Sequence, residues 1–472
     1  MVKDLRTYIS KVSEILSDRQ LAVKGEIDSK FEITAFLRHL ESERKYPAVL
    51  FENVKSIDGE PGKRVYINVT ADRKRICAAL DIDPADYKVG LTAEFGRRAG
   101  KLVAPVTVSK GEAPVKETVY TGSDIDLSKL PMLYHHEMDG NPYGTGLVIS
   151  KKSDNIGYNL SYHRTMYKSP QSTGILMAPY HTWRIFRDNE KKNEPTPVVI
   201  LHGHHPAVFL AGVYQTPWPW DEYGLAGAFL QEPLRLVPSE TWGEDFMVPA
   251  DAEIIIEGEI LPNVREPEGP FGEFTGYYGP QRQNPVIRVT AVTHRRDYIW
   301  YGTDIGHLDH PGIGFEAEVY RRVNEVLPGS VRGVCAPYSG RTQFHYYISL
   351  EKLAEGTPSI AAAAAMTIGF PKMIVIVDDD VDPYNEQEVL CAVATRFQAD
   401  RDLTIIPKVR GSLLDPSMDD LWTHACMFID ATKPLEGAFP IRVASPKSVL
   451  ERLKLEDYVS RETLDRIPPG EF

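Results

Sequence analysis

The chain has 472 residues, 42% hydrophobic and 25% charged, an ordinary globular composition too long for a single hydrophobic core. Its formal net charge of −13 opposes binding to a phosphate backbone or an anionic bilayer, so no nucleic-acid partner is expected. Cys77, Cys335, Cys391 and Cys426 are widely separated and form no CxxC pair, and no apolar run approaches the roughly 20 residues that span a bilayer, which points to a cytoplasmic protein with no membrane partner.

A helix is predicted at the start, where Leu5, Tyr8, Ile9, Val12, Ile15 and Leu16 recur at helical spacing without the continuous apolar core of a signal peptide. Apolar runs at 48–51 and 64–69 read as strands and complete an N-terminal α/β unit over residues 1–115. The next stretch, 116–310, is strand-rich: runs at 146–150, 198–201, 252–258 and 286–291 are separated by Pro/Gly turns, a spacing that suits a β-barrel or a sandwich. Over 311–472 a helix begins near Phe315 and an alanine-rich helix lies around 361–366. A buried parallel strand at 373–377, a helix at 385–397 and a strand at 403–406 then read as a βαβ unit. The chain closes with an amphipathic helix whose Val449, Leu450, Leu453 and Leu455 suit packing on its own domain or on another subunit.

The segment 266–280 carries the most chemistry. Three prolines and four glycines argue for a fixed irregular loop, yet it holds Glu266, Glu268 and Glu273 beside Phe271, Phe274, Tyr277 and Tyr278. Packed rings lower the local dielectric and raise carboxyl pKa values, which makes a Glu a proton donor near neutral pH.

A second constellation lies upstream. The block 155–164 ends a predicted strand, and period-two geometry places Asn159 and Arg164 on opposite faces, so the strand has to bend or stop if both serve one site. Arg164 suits a bidentate clamp on a carboxylate or phosphate. Asn159, His181 and Glu222 offer an amide oxygen, an imidazole and a carboxylate, a set that fits a fairly hard divalent ion such as Mn²⁺ or Mg²⁺, although three ligands spread over 64 residues match no local metal motif. Asp378, Asp379, Asp380 and Asp382 imitate the start of a calcium loop but lack its Gly and distal Glu, and read as helix capping. His202, His204 and His205 sit before a Pro-marked turn and read as ordinary loop structure. GxGxxG, GxxxxGK[ST] and GxSxG are absent, so no Rossmann, P-loop or hydrolase-elbow site is indicated.

The run from Glu268 to Tyr278 resembles the signature of the UbiD family of prenylated-flavin-dependent decarboxylases, and the resemblance runs through essentially the whole chain. The 159–164 block, His181, Glu222-Tyr223 before Ala226-Gly227, the 248–254 strand entry and Asp430-Ala431-Thr432 recur in the family's order. The resemblance implies reversible non-oxidative decarboxylation of an aromatic, heteroaromatic or α,β-unsaturated carboxylic acid. Loss of CO₂ leaves a carbanion that no side chain delocalises, so a cofactor must serve as electron sink. It implies prenylated FMN supplied by a flavin prenyltransferase, with Asn159, Tyr162, His163, Arg164, His181 and Glu222 at the cofactor, Mn²⁺ on Asn159, His181 and Glu222, and K⁺ alongside. Glu273 resembles the proton donor, and Arg164 and Glu268 the ion-paired network that tunes it and orients the substrate carboxylate.

The fold so implied is an α/β and α+β multidomain chain: an N-terminal α/β unit, a central flavin-binding split β-barrel, and a C-terminal α/β domain reached through a linker helix and forming a homodimer. The active site is expected between the central and C-terminal domains. Relatives commonly carry a lysine four residues before Asp-Ala-Thr, where this chain has Cys426. Two other readings stand beside this one, a flavin-independent metal-dependent hydrolase using Asn159, His181 and Glu222, and a non-catalytic binding paralogue.

Overall fold

A computed structural model describes residues 2–152, 156–304, 312–418 and 422–467. Its first helix, Leu5–Ile15, is set by a capping box in which Thr7 N donates to the Asp4 side chain while Asp4 N donates to the Thr7 hydroxyl, both at 2.9 Å, and it buries Leu5, Tyr8 and Val12. The N-terminal sheet runs in the order Gln20–Asp28, Ala48–Lys55, Lys63–Ile67 and Ile299–Tyr301. Its fourth strand is therefore supplied from beyond the central stretch, and three residues are too few to signal that by periodicity.

The central strands close into a barrel in the order Ile254–Glu268, Thr196–His202, Tyr143–Lys151, Tyr158–Ser169, Ser172–Ile175 and Arg282–His294, the last pairing back on the first. Closure removes the sheet edges. Both faces of the wall are covered: Val148, Val198 and Ile200 enter one apolar cluster, while Leu147, Ile149, Val199 and Leu201 enter another that includes Phe209 and Phe229. That double burial explains the unbroken apolar runs in the sequence.

Among the described residues, the wall is open along part of one strand. Tyr158–Ser169 pairs with Tyr143–Lys151 along residues 158–166, but its other neighbour, Ser172–Ile175, meets only residues 165–169. The edge from Tyr158 to Arg164 thus has a strand on one side alone.

The helix Ile313–Val326 leads into a five-stranded sheet ordered Val331–Cys335, His345–Leu350, Met373–Asp378, Thr423–Ala431 and Leu403–Arg410. The βαβ unit expected at 373–406 lies one step earlier, because His345–Leu350 and Met373–Asp378 are the parallel neighbours flanking the helix Thr357–Ala365. Leu403–Arg410 instead skips a place and pairs antiparallel with Thr423–Ala431, which separates it from Met373–Asp378. Its largely exposed residues mark it as the sheet edge. Asp378 and Asp380 pair with Arg396 rather than capping the helix Glu386–Arg396. Met1–Thr432 forms one compact unit and Lys433–Phe472 a second, which carries the short helices Lys447–Arg452 and Arg461–Asp465.

Candidate active site

The strand Ile254–Glu268 runs directly into the segment singled out in the sequence. Glu266, Pro267 and Glu268 are strand residues opposite Asn284, Gln283 and Arg282, so 266–280 is not wholly irregular; a register shift between Ile260 and Arg265 precedes them. A hairpin of Phe271–Gly272 and Tyr278–Gly279 follows. It ties Glu273 at both backbone ends, its amide donating to Tyr277 O at 3.0 Å and its carbonyl accepting from Gly276 N at 2.9 Å. Close approach demands glycine at 272, where a Cβ would lie 2.3 Å from His136 Nδ1. Only Phe271 and Phe274 pack as expected; Tyr277 and Tyr278 are exposed on the outer part of the hairpin.

Arg164, Glu268 and Glu273 meet in one buried cluster. Arg164 Nε and Nη2 donate to Glu268 Oε1 and Oε2 at 2.9 and 2.8 Å, Nη1 donates to Glu273, and Asn284 Nδ2 adds a bond to Glu268 Oε2 at 2.8 Å. Phe271 faces the guanidinium at 5.1 Å. One cation against two ionised carboxylates leaves a net negative charge, which burial penalises heavily. Glu268 takes the bidentate pair and the amide, whereas Glu273 takes one guanidinium N–H, which leaves Glu273 the less compensated of the two carboxyls. The pKa directions agree: burial pushes the Glu273 carboxyl above its ordinary range against the pull of Arg164, and the Glu268 charge pushes it further. Burial would lower the Arg164 pKa, but Glu273 and Glu268 raise it, so the guanidinium stays charged.

The open barrel edge forms the second part of the site. Its outward amides are met by carboxylates: Tyr158 N donates to Asp221 Oδ1 at 2.9 Å and Leu160 N to Glu222 Oε2 at 2.5 Å. Both acids head the helix Glu222–Leu230, where Asp221 also caps Tyr223 N. Glu222 Oε1 accepts from Thr216 at 2.6 Å and lies 3.7 Å from His181 Nδ1 at the start of the helix His181–Glu190. Asn159 Nδ2 donates to Thr182 Oγ1 at 3.0 Å, which leaves its amide oxygen as the remaining acceptor. Amide oxygen, imidazole and carboxylate so grouped fit a divalent ion of intermediate hardness. Among the described residues no group of three His, Cys, Asp or Glu side chains could hold a metal, and this set brings only two of those types, its third member being an amide.

Burial lowers the His163 pKa to about 4, so the ring is neutral; its Nδ1–H donates to Leu176 O at 2.8 Å, leaving Nε2 to accept from the Ser161 hydroxyl at 3.0 Å. The strand neither bends nor stops between Asn159 and Arg164: pairing with Tyr143–Lys151 is continuous, and the 159–164 block begins the strand rather than ending it. Residues of both faces nonetheless line one cavity of about 370 Å³, because the unpaired edge lets side chains reach around it.

That cavity takes Asn159, Tyr162, His163, Arg164, His181, Glu222 and Glu273 from the barrel side, and Phe370, Arg410 and Trp422 from the C-terminal sheet side. Thr303, after the strand Ile299–Tyr301, and Gln343, before the strand His345–Leu350, also line it, while 305–311 lies outside the described residues. Cys426 is buried in the core of the C-terminal sheet among Ile374, Ile376 and Phe428, away from the residues that line the cavity. Asn284 and Thr182 were not foreseen; the sole signal is that buried carboxylates and amides require donors and acceptors. Asp378 and Asp380 reach Arg396, and the buried His205 ring accepts from Ala207 N at 3.3 Å as a helix cap, so neither motif forms part of the site.

A closed six-stranded barrel joined to α/β sheets thus presents, on one cavity, a buried guanidinium–carboxyl trio and an amide–imidazole–carboxylate corner. Models of the 3-octaprenyl-4-hydroxybenzoate carboxy-lyase N-terminal, Rift-related and C-terminal domains match residues 18–89, 106–308 and 312–431, and the chain belongs to the UbiD family. The UbiD-class enzyme HmfF from Pelotomaculum thermopropionicum, solved with FMN, superimposes with a TM-score of 0.87 at 36% identity, covering 97% of this chain and 100% of that one. An evolved dimeric form of the same enzyme was solved with prFMN, at 34% identity and a TM-score of 0.85. Anhydromevalonate phosphate decarboxylase of Methanothermobacter thermautotrophicus is 30% identical over 439 residues, 92% of this chain and 98% of its own. Gallate decarboxylase of Lactiplantibacillus plantarum is 31% identical over 426 residues, 83% and 84% of the two chains.

Proposed function

We propose that this UbiD-family carboxy-lyase performs reversible, non-oxidative decarboxylation of an aromatic, heteroaromatic or α,β-unsaturated carboxylic acid with prenylated FMN in the cavity. The observation that carries it is the trio in which Glu268 takes Arg164 bidentately while burial raises the pKa of the adjacent Glu273 carboxyl. Prenylated FMN supplies the electron sink for the carbanion left by CO₂. Asn159, His181 and Glu222 would hold Mn²⁺, which would supply positive charge for the flavin phosphate, and Tyr162 and His163 line the same cavity. Arg164 orients the substrate carboxylate, Glu268 holds Arg164 in place, and Glu273 delivers its proton to the carbon that loses CO₂. The apolar rings of Phe274 and Phe370 keep water from competing for that proton.

We further propose that residues 1–115, 116–310 and 311–472 act as the N-terminal, flavin-binding and dimerisation domains of a cytoplasmic homodimer, and that a separate flavin prenyltransferase supplies the cofactor. Protein coexpressed with a flavin prenyltransferase should carry a modified-flavin absorption band and release CO₂ from at least one of a phenolic, a heteroaromatic and an acyclic acid. Full activity in protein shown by mass spectrometry to lack flavin would sink the proposal and favour the hydrolase. Bound flavin without turnover on all three groups would favour the non-catalytic paralogue. The K⁺ that the resemblance places alongside Mn²⁺ is a separate matter, because Lys152 already stands there.

A further inference from the structure

Lys152 follows the strand Tyr143–Lys151 with its side chain wholly out of solvent, its amide donating to Gly157 O at 3.0 Å. The ammonium donates to Trp220 O, lies 3.7 Å from Glu222 Oε1 and faces the Trp218 ring at 5.6 Å. A buried ammonium persists only where carbonyls, a carboxylate or an aromatic face replace its water, and here all three do so. Carbonyl and carboxylate oxygens around a desolvated monovalent charge are also what a potassium ion takes. A K⁺ there would have to compete with the ammonium for the same Trp220 carbonyl and Glu222 carboxylate. With Lys152 in that place, the corner does not fit K⁺.

We propose that Lys152 is a tethered replacement for a monovalent metal ion at this corner, so that the flavin phosphate and Mn²⁺ are held without potassium. A tethered charge loses less freedom on binding than a free ion and is present whatever the salt. The inference rests on the flavin reading given above. Its test is the dissociation constant of FMN, followed by fluorescence quenching with MnCl₂ present, in KCl and in tetramethylammonium chloride at equal ionic strength, so that screening is constant. The melting temperature of flavin-free protein is recorded in the same two salts.

For the unsubstituted chain the two constants should agree within about twofold, and the melting temperatures should coincide. For Lys152→Met, FMN should bind about thirtyfold or more weakly in tetramethylammonium chloride, and KCl should restore much of the loss. A clear K⁺ requirement in the unsubstituted chain would overturn the proposal. So would unchanged FMN binding in folded Lys152→Met, or a loss that KCl does not rescue. Should Lys152→Met fail to fold, the two-salt comparison of the unsubstituted chain decides alone. Absence of FMN binding in either salt would defeat the flavin reading instead, and the melting temperatures would then judge Lys152.

Discussion

Replacing Glu273 by Gln removes one proton and almost nothing else. Glu273 is buried, and burial and the Glu268 charge raise its carboxyl pKa against the pull of Arg164, so a neutral amide stands in for the acid form that donates. The Gln carbonyl can accept from Arg164 Nη1 as the carboxyl does, and the bidentate Arg164–Glu268 pair is untouched. The stability change should therefore stay near ~1 kcal/mol or less, the size of one ordinary hydrogen bond. Catalysis should suffer far more. Loss of a positioned general acid costs about 10² to 10⁴ in rate, or about 3 to 5 kcal/mol in the free-energy barrier of the chemical step. The assay is CO₂ release alongside exchange of the product's aromatic or vinylic hydrogen with D₂O, since exchange runs protonation in reverse. Flavin and metal content should be unchanged. Wild-type turnover and exchange in Glu273→Gln would refute the assignment and make Glu268 the next candidate donor.

Three further outcomes are expected from the same geometry. Activity should fall as pH rises through the raised Glu273 pKa, and Glu268→Gln, by leaving Arg164 to Glu273 alone, should move that alkaline limb to lower pH; an unmoved limb in the pH profile would separate Glu268 from Glu273. Glu222→Gln should lower bound Mn²⁺ and flavin together, measured by elemental analysis and absorbance, and unchanged occupancy of both would remove Glu222 from the metal corner. Burial depresses the pKa of His135 and His163 to about 4 and of His204 and His205 to about 3, against an ordinary 6.5. The unfolded chain binds more protons in between, so their contribution is full above 6.5 and is lost as pH falls towards 4 and 3, by about 1.4 kcal/mol per pH unit for each ring. Denaturant midpoints should drop on acidification over that window, less steeply in His204→Gln, and a flat profile would contradict the burial of these rings.

Much of this was legible in the chain because burial on two faces leaves continuous apolar runs, and those at 146–150, 198–201 and 286–291 fall within barrel strands. The site was partly legible because prolines, glycines, acids and rings are compressed into one short segment holding Glu268 and Glu273. What periodicity could not supply was distance. Arg164 meets Glu268 across 104 residues and Glu273 across 109, Asn284 arrives only through barrel closure, and Ile299–Tyr301 joins a sheet whose other strands all precede the barrel. The misplaced βαβ unit has the same origin, since 403–406 has strand composition wherever in the sheet it lands.

The unpaired edge from Tyr158 to Arg164 carries a liability that its acids also manage. Exposed amides on a strand edge invite a strand from another molecule, the first step of aggregation. Asp221 and Glu222 occupy the amides of Tyr158 and Leu160, so two acids at the head of one helix, one of them a proposed metal ligand, also close that edge to a foreign strand. Chemistry and colloidal behaviour are thereby coupled at Glu222: variants that empty the corner should also become more prone to self-association, and bound metal should act as a solubility factor as well as a cofactor.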